Sequence, residues 1–580
     1  LQELQQPQQA QHKKLATLNH TILLAQIFDR THAAVKQQYQ LLNQHILPAL
    51  AAQQINLLSQ NQLTLSHLNQ RQHGWATAHF MQVILPVLQP TVLQPDQALI
   101  TNPCSVITPK NSHLIVRLSS KITTRSEHNA VWALLPVPIQ LTSLIFLPTC
   151  DHATESISCV LLTTLIQAHL ATIFIDWNIE SSALFRVTYA AKENSIADLV
   201  PPAQMQLHTG VAVRLEIEQQ ASVEAAEYLA DVLSLSDAQI YHVDGIVDLI
   251  RLSALYHQPA LSHLLNSSSL NALEFKQAQL KYLPFRPYLA DDLHSDSDIF
   301  AAIRQRDILL HHPFDSFVPV VNLLRAAAHD PQVSSIYQTL YRSGVASEVV
   351  QQLMIAAQHG KQVTVVVELR VRQDEQNNWD IAQQLQQAGV RVIYGSAQYK
   401  IHAKMLLITR HEQHQTVRYV HLGTGNYHAI NAQLYTDYGL LTSNTDLACD
   451  VGLVFEWLIN STSKKRASYP NLKKLLMAPF NLYATLISFI EHEITLAQAG
   501  LPAHIIIKAN ALTQPQLIDA LYRASECGVK VDLIIRSICS LSLQVAESAK
   551  TIRVRSIVGR FLEHTRVFYF SNANAKPRLY

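Results

Sequence analysis

The C-terminal half of the chain contains one pattern twice, and this repeat limits the folds that the chain can adopt. Each copy holds the end of a helix-like segment, a glycine (Gly360 or Gly528) and a nearly continuous apolar run. A glycine in this place is typical of a helix C-terminus, and the apolar run is typical of a buried parallel strand. The repeat therefore predicts two similar α/β domains in tandem. The aligned copies are AAQHGKQVTVVVE (356–368) and ASECGVKVDLIIR (524–536).

A second repeat follows each of these segments. Each copy opens on an apolar residue, an arginine and a valine, and after nine further residues it reaches a histidine, His402 or His564. A basic residue stands two positions after each histidine, and four apolar residues complete the copy. The pattern predicts a strand, a basic turn and a second strand, with the histidine at the junction. The copies are VRVIYGSAQYKIHAKMLLI (390–408), with Lys404, and IRVRSIVGRFLEHTRVFYF (552–570), with Arg566.

The histidine and the base of each copy suit the chemistry of phosphate. An imidazole can attack phosphorus and carry a phosphoryl group, and a cation two residues along a strand points to the same face and offsets phosphate charge. The chain has 28 histidines, so a structural role is the ordinary interpretation of any one of them. The duplicated frame favours a functional role for His402 and His564. Metal-ligand spacing is absent around both, so zinc is not predicted.

Other segments of the first α/β region also suit phosphate. In HLGTGNY (421–427), two glycines after a predicted strand would allow a tight turn with exposed N–H groups that cradle phosphate, although an ordinary turn is an equally compatible interpretation. Several arginines follow predicted strands, where ligands of α/β sheets collect; exposed arginines at loop starts are the alternative. These arginines are Arg342, Arg370, Arg372 and Arg536.

Two residues of the segment LYTDY (434–438) have two interpretations each. The spacing of Tyr435 favours a core position, and stacking on a base is the alternative. Asp437 could orient a histidine, but an aspartate at a strand edge is commonly solvated.

The composition indicates a folded, multidomain protein. At 580 residues the chain is too long for one domain, and 48% hydrophobic with 15% charged residues indicates large cores. Lysine and arginine (44) balance aspartate and glutamate (43), so nucleic-acid binding is not predicted. Residues 501–580 carry 11 basic against 5 acidic residues, which suits an anionic ligand or a solvated basic face. The six scattered cysteines indicate reduced thiols of a cytosolic protein, and no apolar run is long enough to span a membrane.

The pattern along the chain predicts four domains. Residues 1–55 have a helical period without glycine, which predicts a helical hairpin. Residues 56–288 mix short strands and helices, which predicts an α+β domain. The β/α alternation then begins, and a polar basic stretch at 460–474 divides it into domains at 289–470 and 471–580. In this α+β domain, antiparallel strands are predicted at Leu114–Leu118, Val131–Leu135 and Leu144–Leu147, and helices at Ser158–Ile173 and Ser222–Ser234.

Several long motifs, in the right order, closely resemble bacterial polyphosphate kinase of the first type. The resemblance runs from about Phe285 to the end, and a weaker match covers residues 28–50. The His-x-Lys and Gly-x-Gly order also resembles the phospholipase D superfamily. The motifs are HHPFDSF (311–317), QTLYR (338–342), VVVELRVRQDE (365–375), KIHAKM (400–405), HLGTGNY, LYTDY, DALYRASECGVKVDLIIRSICSL (519–541) and SIVGRFLEHTRVFYF (556–570).

The resemblance implies both a fold and an activity. The fold would be a helical N-terminal segment, an α+β head domain and two tandem phospholipase D-like α/β domains. The activity would be reversible transfer of the ATP γ-phosphoryl group to inorganic polyphosphate through a phosphohistidine. The resemblance also implies a cytoplasmic homo-oligomer with peripheral association at the inner membrane.

The resemblance assigns roles to individual residues as well. His402 matches the phosphohistidine nucleophile, and His564 matches a histidine that contacts ATP and assists as acid or base. Lys404 would bind phosphate. Tyr435 and Arg536 match ATP-contacting positions. Two further arginines match positions associated with Mg²⁺; because a guanidinium has no lone pair to donate, they are expected to hold Mg-bound phosphates rather than the metal. These arginines are Arg342 and Arg372.

The sequence departs from the family pattern in four places. A segment with the motif Asn-Leu-Asp-Glu-Phe has no counterpart, and neither has a C-terminal segment with Asp-Trp-Met, so the chain is expected to be truncated at both ends. Gln373 stands where phenylalanine is usual, and Gln433 where arginine is usual. Two alternatives therefore stay open: a phospholipase D-type phosphodiesterase, or an inactive fragment.

Overall fold

The computed structural model of the chain divides into two compact units, which are described separately. Apart from the short segment 199–204, the first unit extends to Leu283 and the second from Pro284 to Tyr580. Side chains are described from Thr21 onward in the first helix, and from Asn377 onward in the helix that begins at Glu375. The structure describes residues 13–59, 70–93, 107–108, 111–121, 130–148, 157–190, 211–256, 280–283, 285–290, 293–294, 297–341, 347–369, 375–395, 399–413, 415–460, 469–543 and 549–580.

The first unit begins with one continuous helix instead of the predicted hairpin. Helix α1 (Lys13–Leu41) passes through a π-helical turn (Leu42–Ile46) into α2 (Leu47–Ala52) without leaving helical backbone angles. The hairpin prediction is wrong because no glycine or proline interrupts the helix before Pro48. Proline lacks the N–H that an α-helical turn needs, and the wider turn before it absorbs this loss.

Two sheets form the rest of the first unit. The strands predicted near Leu114 and Val131 are confirmed, and they pair antiparallel as β3 (Ser112–Ser120) and β4 (Val131–Pro136). The strand at Leu144 (β5) belongs to the other sheet, where it pairs with residues 157–161. These residues were predicted as the start of a helix; a short apolar run does not distinguish a buried strand from a helix. The predicted helix at 222–234 is confirmed, with Ser222 accepting a hydrogen bond from the Ala225 N–H.

The sheet orders of this unit are β2-β4-β3-β7-β8-β9 and β1-β6-β5. In chain order its remaining elements are β1 (Ile55–Leu58), α3 (Gln70–His79), β2 (Thr91–Leu93), β3 (Ser112–Ser120), β4 (Val131–Pro136), β5 (Leu144–Phe146), β6 (Ile157–Leu161), α4 (Leu162–Ala168), α5 (Leu170–Ile173), β7 (Trp177–Tyr189), β8 (Ala212–Glu218), α6 (Val223–Leu233) and β9 (Ile240–Val243).

The second unit begins with an α/β sheet of the order β10-β16-β15-β14-β11-β12-β13. Strands β11, β12 and β13 are parallel, and β14 is antiparallel beside β11. The elements are α7 (Ile299–Gln305), β10 (Ile308–His312), α8 (Val318–His329), β11 (Val333–Leu340), α9 (Glu348–Gln358), β12 (Gln362–Val367), α10 (Glu375–Gln387), β13 (Arg391–Tyr394), β14 (Lys404–Glu412), β15 (Gln415–Gly423), α11 (Asn431–Leu434), β16 (Tyr435–Thr442) and α12 (Thr445–Asn460).

A second sheet repeats this core with the order β19-β18-β17-β21-β22. Its strands β17, β18 and β19 are parallel, and β21 is antiparallel beside β17, just as β14 lies beside β11. Gly360 and Gly528 both end a helix with positive φ, at 79° and 88°. The predicted tandem α/β fold is confirmed. The elements are α13 (Leu482–Gln498), β17 (His504–Ala509), α14 (Pro515–Glu526), β18 (Lys530–Ile535), β19 (Ile552–Arg555), β20 (Leu562–Glu563), β21 (Val567–Phe570) and β22 (Arg578–Leu579).

One short strand connects the two sheets of the second unit. Strand β20 pairs parallel with β16 of the first sheet, with Tyr435 opposite Leu562 and Thr436 opposite Glu563. This pairing carries the residues after β20 to the start of β16 in the first sheet.

The described cysteines at 159, 449, 527 and 539 are free thiols. Across the described ranges, no helix combines the length and the apolar character needed to cross a bilayer.

Candidate active site

His402 lies on the loop that leads into β14, at the carboxyl ends of β11 and β12. The backbone around it is tightly held. The Ile401 N–H donates to Glu368 Oε2 at 2.7 Å, and Thr339 Oγ1 donates to the Ala403 carbonyl at 2.8 Å. The imidazole itself is exposed and touches the ring of Tyr341 edge-on, with 4.8 Å between ring centroids. The loop is therefore fixed by its backbone while the ring stays accessible.

The environment of His402 keeps its imidazole neutral. Neighbouring protein atoms partly withdraw the ring from water, and positive charge surrounds it, so the pKa is lowered to about 3. A neutral imidazole at physiological pH has a free electron pair, which nucleophilic attack requires. The contributing charges are those of Lys404, Arg566, His564 and Lys400.

His564 follows β20 and is held in a different way. Its Nδ1 lies 2.7 Å from Asp437 Oδ1, and its backbone N–H donates to Thr436 Oγ1 at 3.2 Å. Asp437 is 3% exposed and also accepts a hydrogen bond from Thr424 Oγ1 at 2.6 Å. A carboxylate on Nδ1 fixes the orientation of the ring and leaves Nε2 to exchange a proton. The solvated position considered for Asp437 is therefore wrong, and its other interpretation, orienting a histidine, fits the structure.

The basic residue of each repeat makes the same contact. Lys404 Nζ donates to the carbonyl of His402 at 2.6 Å, and Arg566 Nη1 donates to the carbonyl of His564 at 2.7 Å. Lys404 is 5% exposed, and its ammonium also lies 4.9 Å from the centre of the Tyr341 ring. The expectation that His402 and Lys404 point to the same face of one strand does not hold, because β14 begins only at Lys404. Each base thus holds its own histidine's backbone. Lys404 brings buried positive charge to the site, and Arg566 brings half-buried positive charge.

A cluster of charged residues from the second sheet lies close to His564. Arg536 follows β18 and donates to Asn510 Oδ1 through Nε at 3.0 Å and to the Glu563 carbonyl through Nη1 at 3.3 Å. The Glu563 carboxylate pairs with the ammonium of Lys508 and accepts from Thr436 Oγ1. Burial lowers the pKa of Arg566, as does the charge of Arg536. With the local acids already paired, the surplus charge of this cluster is positive, which suits an anionic ligand.

The turn in HLGTGNY uses one of the N–H groups that the predicted phosphate cradle would need. The Thr424 N–H donates to the Tyr438 carbonyl at 2.9 Å, so it is used within the protein. A Cβ on Gly425 would lie 2.5 Å from Asp437 Oδ2, and one on Gly423 would lie 3.1 Å from His421 Cε1. The glycines are there because Asp437 and His421 approach the backbone closely. The cradle prediction is wrong at Thr424.

His421 and His312 form a buried pair behind Asp437. A Cβ on Gly439 would meet both Nε2 atoms, at 2.7 Å and 3.5 Å. His421 Nδ1 lies 2.8 Å from the Tyr427 hydroxyl. In the part of the chain that the structure describes, neither Nε2 has a hydrogen-bond partner. Burial lowers the pKa of both imidazoles, that of His421 to about 3.

This burial predicts a loss of stability in acid. Between pH 6.5 and 3 the unfolded chain binds a proton at His421 that the folded chain does not, so the free energy of unfolding falls as pH falls. From pH 7 to pH 5 the loss from this residue is about 2 kcal/mol. Hydrogen exchange of the amides of β14 to β16, corrected for the intrinsic exchange rate at each pH, measures this fall in the free energy of unfolding. His421→Gln is expected to remove about this part of the drop; an unchanged drop would contradict the account.

The other predicted site residues lie as follows. The Tyr435 ring centroid is 5.5 Å from that of His564, and the residue is half-buried at the start of β16 rather than in the core. Arg342, Arg370 and Arg372 lie outside the described residues.

The residues of the site fit magnesium as part of a magnesium–nucleotide substrate. Over the described ranges, no group of three or more His, Cys, Asp or Glu side chains could hold a metal. The carboxylates of Asp437 and Glu563 have partners, and the surrounding groups are cations. Mg²⁺ commonly binds substrate phosphates and keeps several waters, so it needs few protein ligands.

Sequence reasoning missed several residues that hold the site together. Tyr341 and Glu368 lie within motifs that carry the resemblance but received no role there, and Asn510 lies in none of those motifs. The pairing of β20 with β16, which brings Asp437 to His564, joins residues more than 120 positions apart. The one available signal was the Gly-x-Gly motif, because glycines also mark the close approach of another group.

The duplicated α/β fold, with one histidine before the same antiparallel strand in each copy, defines a tandem α/β protein with a two-part histidine site. Three family models match this chain: "Polyphosphate kinase middle domain" at 71–255, "C-terminal domain 1" at 298–464 and "C-terminal domain 2" at 475–580. The chain belongs to the polyphosphate kinase family, whose members are phosphotransferases.

Individual relatives agree with this assignment. Polyphosphate kinase of Pseudomonas putida is 40% identical over 556 residues, which are 95% of this chain and 72% of that protein. Polyphosphate kinase of Xylella fastidiosa is 39% identical over 568 residues, or 97% of this chain and 76% of that one. The crystal structure of polyphosphate kinase from Porphyromonas gingivalis matches with a TM-score of 0.75 and 27% identity, covering 97% of this chain and 79% of that chain.

Proposed function

We propose that this polyphosphate kinase transfers the γ-phosphoryl group of Mg-ATP to inorganic polyphosphate in two steps, through a phosphohistidine at His402. The observation that carries the proposal is the difference between the two repeated histidines. The ring of His402 is exposed and has a lowered pKa, whereas the ring of His564 is bound to a buried aspartate. The first arrangement suits a nucleophile and the second suits an acid–base group.

In the first step, the free electron pair of a His402 ring nitrogen forms a bond to the γ-phosphorus. The bond between that phosphorus and the bridging oxygen breaks, and ADP leaves with the electron pair. Charge builds up on the leaving oxygen, and His564 can stabilise it or protonate it through Nε2. Lys404 and Arg536 contribute positive charge that stabilises the negative charge on the oxygens of the transferring phosphoryl group.

In the second step, a terminal oxygen of polyphosphate attacks the phosphorus on His402. The N–P bond breaks, His402 returns to the neutral imidazole, and the chain grows by one phosphate. The reverse sequence forms ATP from ADP and polyphosphate. Arg342 and Arg372 are proposed to hold Mg-bound phosphates, and Tyr435 to contact the nucleotide. Mg²⁺ enters with the nucleotide and lowers the charge that the cations of the site must offset.

The activity itself can be tested with the purified chain. We expect ADP and acid-insoluble polyphosphate from Mg-ATP, and ATP when ADP and polyphosphate are supplied. Hydrolysis of a model phosphodiester in the presence of a chelator, without polyphosphate formation, would favour a phospholipase D-type diesterase instead. No turnover of either substrate would indicate that this chain does not act alone.

The close approach of Gly425 to Asp437 gives a sharp test of the role of His564. Gly425→Ala is expected to push Asp437 aside, because its Cβ would lie 2.5 Å from Oδ2. The loss of a positioned acid–base group costs on the order of 10²–10⁴-fold in rate. Polyphosphate synthesis per folded molecule measures the effect.

Gly452→Ala is the matched control for this variant. Gly452 lies within α12, and the nearest atom to its Cβ would be 3.7 Å away, so full activity and a small gain in stability are expected. Equal activity of the two variants would contradict the proposed role.

Other properties remain proposals that rest on the resemblance. They are a homo-oligomeric state, peripheral association with a membrane and a cytoplasmic location. The domain boundaries 1–55, 56–288, 289–470 and 471–580 are likewise proposed, as is the lack of a nucleic-acid partner.

A further inference from the structure

A buried carboxylate contacts the loop that carries His402. Glu368 follows β12 and is 1% exposed. Its Oε2 accepts the Ile401 N–H at 2.7 Å, one residue before the histidine. A Cβ on Gly395 would lie 3.2 Å from the same oxygen and 3.3 Å from Ile401 Cδ1, so glycine at the end of β13 leaves room for this contact.

Glu368 is itself held by a second buried residue. The Asn378 side chain, 4% exposed in the first turns of α10, donates from Nδ2 to the carbonyl of Glu368 at 2.8 Å. The same nitrogen donates to the carbonyl of Tyr341 at 2.7 Å. One amide thereby joins the ends of β11 and β12. The Tyr341 ring in turn lies edge-on against His402.

The hydrogen bonds that hold His402 in place are made by the backbone of its loop and not by its ring. The loop backbone is fixed at Ile401 by Glu368, at the His402 carbonyl by Lys404, and at Ala403 by Thr339. Among the described residues, no side chain hydrogen-bonds to a ring nitrogen of His402. A ring that must form and break a bond to phosphorus cannot keep a strong partner on the reacting nitrogen. The orientation of the ring therefore depends on the backbone contacts.

We propose that Glu368, anchored by Asn378, is a positioning residue for the nucleophile in this phosphoryl-transfer reaction. Its carboxylate sets the loop so that the His402 ring meets the γ-phosphorus in line with the leaving oxygen. Attack requires atoms about 3–3.5 Å apart with aligned orbitals, and a displacement of about 1 Å can cost on the order of 100-fold in rate. This inference rests on the proposed role of His402.

The test compares Glu368→Leu with Glu368→Gln. Leucine removes the acceptor for the Ile401 N–H, whereas glutamine keeps an oxygen of similar reach. We expect Glu368→Leu to slow phosphorylation of the folded protein by labelled ATP by about 100-fold, with the KM for ATP changed less than threefold. Glu368→Gln is expected to recover most of the rate. Asn378→Asp, which cannot donate to the two carbonyls, is expected to lie between these two variants.

Glu493→Gln is the matched control, because Glu493 is also fully buried and also accepts backbone N–H groups, from His504 and Asn572, but lies in the second sheet. It is expected to lower stability without changing the rate per folded molecule.

Three outcomes would overturn the proposal. They are an unchanged rate in Glu368→Leu, a loss no better recovered by glutamine than by leucine, and a loss explained by weaker ATP binding or unfolding. The failure of the His402 mechanism would be distinguishable, because the wild-type protein would then carry no label on His402.

Discussion

Replacing His402 with glutamine is expected to abolish polyphosphate synthesis and to prevent labelling by ATP whose γ-phosphate is radioactive. Glutamine has similar polarity and length but no nucleophilic nitrogen, so the N–P bond cannot form. Removal of a covalent nucleophile costs at least about 10⁴-fold, and more when other groups act with it. The fold should persist, because no described residue hydrogen-bonds to the His402 ring. Polyphosphate formation and protein-bound label measure the two effects together.

His329→Gln provides the matched control for this variant. His329 ends α8 and precedes the amino end of β11, so it lies at the opposite edge of the sheet from His402. Its substitution is expected to leave both activities unchanged. A His402→Gln protein that still made polyphosphate at a measurable fraction of the wild-type rate would contradict the nucleophile assignment.

Replacing Asp437 with asparagine is expected to lower the rate by about 10²–10⁴-fold with little change in stability. The amide oxygen can still accept from Thr424 and from His564 Nδ1, so the geometry is tolerated. The negative charge that would offset positive charge on the His564 ring during proton transfer is lost. The KM for ATP should change much less than kcat.

Asp330→Asn is the corresponding control. Asp330 pairs with Arg410 Nε at 2.7 Å at the amino end of β11, away from both histidines. Loss of such a partly exposed pair costs at most about 1 kcal/mol, and activity should be unaffected. A comparable loss of rate in Asp330→Asn, or an unchanged rate in Asp437→Asn, would mean that Asp437 does not act through His564.

The tandem α/β fold could be predicted because its signals are local and duplicated. Gly360 and Gly528 end their helices in backbone conformations that favour glycine, and the apolar runs after them form parallel strands as expected. The polyphosphate kinase family could be named from ordered motifs. The N-terminal hairpin was wrong because the sequence contains a helical period but no signal for a turn. The helix simply continues to Ala52.

The contacts within the site could be predicted only in part. The histidines and their bases were visible as a repeat, but the contact of each base with its histidine's carbonyl needed coordinates. Asp437 was misjudged because its neighbours along the chain do not show that β20 arrives beside it. Glu368 was missed for a similar reason: it serves a loop 33 residues further on. Such contacts depend on which distant segments pair in the folded protein, and neither the helix and strand propensities nor the motif spacing of the sequence gives this information.

The measurement that tests the central claim most directly is the kinetic competence of a phosphorylated His402. Wild-type protein would be mixed rapidly with γ-labelled ATP, quenched in base to preserve phosphohistidine, and digested for peptide mapping. The labelled protein would then be chased with unlabelled ATP and polyphosphate. We predict label on the peptide containing His402, and its transfer to polyphosphate at least as fast as overall turnover. Label on the His564 peptide instead, or a chase slower than turnover, would contradict the two-step mechanism through His402.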